Sequence, residues 1–102
     1  MTLLSKLAIA LTLLTPLAAQ AHYPVMDCGR EGAELVCKVG YSDGTFATGA
    51  EVVMYSYDDE VLATVKANGH SQARFTEPKG EFYIRFDAGH EDPAEFDYAE
   101  LL

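Results

Sequence analysis

Tryptophan is absent from this 102-residue chain and basic side chains are scarce, with seven Lys and Arg against sixteen Asp and Glu. A surface this acidic repels nucleic acid and anionic lipid and attracts cations, which sets nucleic-acid binding aside as a function class. After residue 21 no apolar run approaches the roughly 20 residues that a membrane-spanning helix requires. Nor is an apolar period of 3.6 sustained long enough to form a helix. Phosphate-loop, dinucleotide-binding and EF-hand patterns are missing. Ser42, Ser56 and Ser71 fall in turns or mid-strand, outside any nucleophile-elbow context, so the expectation is a protein that is not an enzyme. Cysteine is limited to Cys28 and Cys37.

What is present begins with a leader. Lys6 supplies a positive start, Leu7 to Ala18 form an apolar run, and Ala19-Gln20-Ala21 is a small-x-small cleavage site. Residues 1–21 therefore read as a signal peptide and residues 22–102 as one exported domain, periplasmic and soluble after cleavage. The 81 residues left by removing 21 from 102 suffice for one modest core. With Lys6 gone, six basic side chains face sixteen acids, a formal charge of −10. In an oxidising compartment a Cys28–Cys37 disulfide is the economical reading, with Gly29-Arg30-Glu31-Gly32 as the turn between two strands.

The rest of the chain alternates short strands with turns. Strands are expected at Val25 to Cys28, Val36 to Tyr41, Glu51 to Tyr57, Val61 to Val65, Ala73 to Thr76, Glu81 to Asp87 and Glu95 to Leu101. Asn68-Gly69 carries a hairpin signal. In Glu81 to Asp87 the residues Phe82, Ile84 and Phe86 alternate with Tyr83 and Arg85, as a half-buried strand requires. About seven strands at this spacing predict an all-β fold, a small immunoglobulin-like or transthyretin-like antiparallel β-sandwich. Its inward face is expected to collect Leu35, Val39, Val52, Met54, Val65, Phe75, Phe82, Ile84, Phe86 and Phe96.

The order of motifs carries a resemblance. His22 follows the leader, then come Tyr41-Ser42-Asp43-Gly44, Gly49-Ala50-Glu51-Val52, Asn68-Gly69, the Phe75 strand and Asp87-Ala88-Gly89-His90. This resembles small exported carboxypeptidase-regulatory-like or transthyretin-like domains. In particular it is similar to the periplasmic accessory component of ECF-type nickel and cobalt transporters. The resemblance implies capture of Ni2+ or Co2+ and hand-over to an inner-membrane metal transporter. The Cys28–Cys37 pair and Glu91 after the Gly-His pair depart from the pattern.

Cleavage after Ala21 makes His22 the first residue, and a free N-terminal histidine is a ready chelate. Its α-amine and its ring Nδ1 close on one ion together, which joins two nitrogen donors in a single chelate. His90, with Asp92 or Asp27 as a carboxylate, is expected to join it if the first strand runs beside the one ending at Asp87; His70, after the Asn68-Gly69 turn, is a further candidate ligand. Such nitrogen and oxygen donors suit a divalent transition metal, Ni2+, Co2+ or Cu2+. Pro24 at the third mature position has no amide proton, so the amino-terminal motif built on deprotonated amides is ruled out. Two alternatives stay open: copper binding through the same ligands, and a metal-free interaction module that presents Tyr55, Tyr57 and Tyr83 to a protein partner.

Overall fold

The computed structural model describes residues 22–102, so the leader assigned to residues 1–21 lies outside the described residues. Seven strands follow in order: β1 (Pro24–Glu31), β2 (Glu34–Tyr41), β3 (Glu51–Ser56), β4 (Val61–Lys66), β5 (Gln72–Thr76), β6 (Phe82–Phe86) and β7 (Ala94–Asp97). They form two antiparallel sheets, a three-stranded one in the order β1-β2-β5 and a four-stranded one in the order β4-β3-β6-β7. The expected all-β sandwich is the observed architecture.

The period of two decides what each strand buries. On β6 the inward set Phe82, Ile84 and Phe86 is at most 1% exposed. Leu35, Cys37 and Val39 of β2 face it with Ala73 and Phe75 of β5, while Val52, Met54 and Phe96 complete the core from the four-stranded sheet. Full burial of each large apolar side chain stabilises the fold by about 1.5–3 kcal/mol. Val65, expected in the core, is only half-buried because β4 is an edge strand.

The β1–β2 hairpin is tighter than expected. Glu31 pairs with Glu34, which leaves Gly32-Ala33 as the whole turn, and Gly32 takes φ 63°. Gly29 and Arg30 therefore belong to the strand. Cys28 stands directly opposite Cys37 and the two are joined as a disulfide.

Three expectations need correction. Asn68-Gly69 does not make a hairpin, since β4 and β5 lie in different sheets. The Asn68 side chain instead accepts from the amides of His70 at 2.9 Å and Gln72 at 3.1 Å, which turns the chain across the sandwich. The last strand stops at Asp97. There a capping box with Glu100 starts a 3-10 turn over Tyr98–Leu101. Finally, β1 pairs with β2 and not with β6; it lies in the sheet facing β6 and β7.

Candidate functional site

All three histidines come to one end of the sandwich, and the topology explains why. The start of β1 pairs with the end of β2 (Pro24 with Tyr41), the end of β4 with the start of β3 (Lys66 with Glu51), and the end of β6 with the start of β7 (Phe86 with Ala94). His22 precedes β1, His70 lies between β4 and β5, and His90 between β6 and β7, so each sits at this end. The two sheets meet there through the Tyr41 and Phe86 rings, whose centroids are 5.9 Å apart.

The best-built part is the turn after β2. The Tyr41 amide donates to the Thr45 carbonyl at 3.0 Å and the Gly44 amide to the Tyr41 carbonyl at 2.8 Å. This turn folds so closely over Gly40 that a Cβ there would lie 2.9 Å from the Thr45 carbonyl oxygen. Asp43 Oδ1 accepts from the Thr45 amide at 3.0 Å and from its hydroxyl at 2.7 Å. Those bonds from Thr45 are the main reason the Asp43 carboxyl is held below the ordinary carboxylate range.

The other oxygen of Asp43 is turned to the segment that precedes β1. Tyr23 and Ser42 clamp the two segments together, the Tyr23 amide donating to Ser42 Oγ at 3.1 Å and the Ser42 amide to the Tyr23 carbonyl at 2.8 Å. His22 Nδ1 then lies 3.6 Å from Asp43 Oδ2, with the imidazole exposed. Sequence reasoning missed Asp43, quoting it only as part of a turn. The signal was the Asp-x-Thr spacing, which fixes one carboxylate oxygen and frees the other.

The other expected ligands are placed differently. Ser71, 3% exposed, donates its hydroxyl to the Val39 carbonyl and accepts from the Ala47 amide at 2.7 Å, which anchors the loop that presents His70 to solvent. In the β6–β7 loop the Gly89 amide donates to Asp87 Oδ1 at 2.8 Å, and positive φ at Gly89 (88°) and Glu91 (61°) turns the chain around His90. His90 and Asp92 are exposed and make no ion pair among the described residues. Asp27 sits within β1 opposite Lys38, not at the strand end. Among the described residues no group of three or more His, Cys, Asp or Glu side chains is gathered closely enough to hold a metal ion. The structure thus brings His22 and Asp43 together and leaves His70, His90 and Asp92 at the same end but apart.

Comparison with family models, with characterised proteins and with solved structures gives no match for this chain.

Proposed function

We propose that the chain, cut after Ala21, is an exported binder of a divalent transition metal, Ni2+ or Co2+ in the first instance, held at the His22 end of the sandwich. The observation that carries this reading is the 3.6 Å approach of His22 Nδ1 to Asp43 Oδ2 on a turn built to present that carboxylate. The α-amine and ring of His22 supply two nitrogens and Asp43 an oxygen, a donor set suited to borderline ions. His90 and His70, on exposed loops at the same end, are the groups available to complete the coordination. The charge of −10 on the processed chain favours cation capture by its long-range field. Delivery to an inner-membrane transporter is the role that the resemblance adds.

Isothermal titration with Ni2+, Co2+ and Cu2+ tests the proposal on processed protein whose first residue is verified by mass spectrometry. One tight site is expected, abolished by a single added N-terminal glycine and weakened at least tenfold by Asp43→Asn. Selective tight binding of Cu2+ alone would favour the copper reading. A second reading is favoured by the lack of a three-donor group among the described residues: a metal-free interaction module. Of its three tyrosines only Tyr57 is exposed; Tyr55 and Tyr83 are half-buried and stacked on each other at 5.0 Å. That reading takes over if no metal binds tightly to either form.

A further inference from the structure

Asn68 is the only asparagine of the chain, and it precedes a glycine. In such a pair the glycine nitrogen is a nucleophile within reach of the asparagine side-chain carbonyl carbon. The Gly69 amide donates to no acceptor among the described residues, while its neighbours His70, Ser71 and Gln72 all donate within the turn. Gly69 has no Cβ to shield that nitrogen, and nothing lies within 4 Å of where one would stand. On the electrophile, Asn68 Oδ1 accepts from the amides of His70 at 2.9 Å and Gln72 at 3.1 Å. Two fixed dipoles thus face the atom on which negative charge develops when Cγ is attacked. Asn68, Gly69 and His70 are exposed, so water and base reach the pair. The turn after β2 supplies the contrast. There Asp43 Oδ1 accepts from Thr45 in the same manner, but the Gly44 amide is committed to the Tyr41 carbonyl at 2.8 Å.

We propose that Asn68-Gly69 is a site of spontaneous deamidation in the folded protein, opened by the free Gly69 amide. The Gly69 nitrogen gives its proton to a solvent base and bonds to Asn68 Cγ. The Cγ–Nδ2 bond breaks, and the amide group takes a proton from solvent and leaves as ammonia, which closes a succinimide ring. Water then opens the ring. Cleavage between the Gly69 nitrogen and Cγ leaves aspartate; cleavage between that nitrogen and the main-chain carbonyl carbon leaves isoaspartate. One water is consumed and one ammonia released, with nothing oxidised or reduced. Either product places a new carboxylate in the loop that presents His70. The isoaspartyl product also routes the main chain through Cβ and Cγ, which disturbs the 2.9 Å bonds from the Ser71 amide to the Asn68 carbonyl and from the Asn68 amide to the Gln72 carbonyl. Those bonds carry the chain from β4 to β5, so this product loosens the crossover between the sheets.

Timed incubation of the processed protein at neutral pH tests this, read by intact mass and by peptide mapping that separates aspartate from isoaspartate, with far-UV circular dichroism as the check on folding. Conversion at position 68 to both products is expected. Gly69→Ala, whose added methyl meets open space, keeps the fold and slows conversion by about tenfold through shielding of the nitrogen. Asp43→Asn makes a second pair of the same chemistry in which the glycine amide is already engaged. In that variant, position 43 is expected to convert several-fold more slowly than position 68 of the same molecule. A folded protein that keeps Asn68 intact while the urea-unfolded chain converts overturns the proposal. Equal rates at positions 43 and 68, or an unchanged rate in Gly69→Ala, overturn it equally, because the free Gly69 amide then has no part in the reaction.

Discussion

The two ends of the sandwich handle their polar groups in opposite ways. At the end away from the histidines a set of charged and phenolic groups is reciprocally paired. Arg30 clamps Glu77 with bonds of 2.7 and 2.9 Å, Arg74 reaches Glu34 at 3.1 Å and Glu31 at 3.3 Å, and the Tyr57 and Tyr83 hydroxyls donate to Asp97 at 2.7 Å and Asp59 at 2.6 Å. At the histidine end a single 3.6 Å approach joins His22 to Asp43, while His70, His90 and Asp92 face solvent. Reciprocal pairing saturates donors and acceptors, so the first end is structural. Electron-pair donors that a fold places but does not saturate remain available to a ligand, and the three imidazoles among them lie at the other end.

The largest perturbation expected is Phe82→Ala. Phe82 is fully buried and packs edge-on against Tyr98 at 5.6 Å beneath the paired end. Its truncation should cost about 3–5 kcal/mol in a denaturant titration. Metal affinity of the folded fraction should not change, which separates the two ends. Loss of the disulfide through a Cys28→Ser, Cys37→Ser pair comes next, at about 2–4 kcal/mol.

Gly40→Ala reverses the pattern. A Cβ 2.9 Å from the Thr45 carbonyl oxygen forces the turn to shift, with about 1–3 kcal/mol of lost stability. Asp43 moves with the turn, so metal affinity should fall by more than tenfold although no donor has been removed. An unchanged affinity would mean that the Asp43 turn has no part in binding.

Smaller effects come from titration of the paired end. The bond to Asp97 and partial loss of solvent push Tyr57 from 10.0 up to about 12. A raised pKa means that its contribution is complete below pH 10 and is lost as the pH climbs through about 12. Absorbance titration of the phenolates should show this late tyrosine, and Asp97→Asn should return it toward its ordinary value. At the acid limit the sign is opposite. Arg30 holds Glu77 below the carboxylate range and Thr45 holds Asp43 there, so their contributions are complete above that range and disappear as the pH falls below it.

Much of this architecture was legible from residue patterns. Alternation along Phe82 to Phe86 and the Cys28–Cys37 spacing depend on local backbone geometry, and both appear as expected. Asn68-Gly69 misled because the preference of Asn for turns says nothing about whether the flanking strands share a sheet. The 3-10 turn at Tyr98–Leu101 was missed because the capping box hides inside an alternating pattern. For the site, the grouping of His22 with His90 was an inference about strand neighbours, and the actual neighbours differ: β1 reaches the His90 loop across the sandwich and not along a sheet. The Asp-x-Thr spacing marks Asp43 as a turn former, but its approach to His22 depends on a contact between that residue and a turn 21 residues later, which local spacing does not report.

The most direct test of this contrast follows backbone amide signals of processed, isotope-labelled protein during addition of substoichiometric Ni2+. Paramagnetic broadening should begin at Tyr23 and at Ser42 to Thr45, extend to the loops of His70 and His90, and leave Tyr57, Glu77 and Tyr83 sharp. Broadening that starts at the paired end, or that is spread evenly over the acidic surface, would contradict the account.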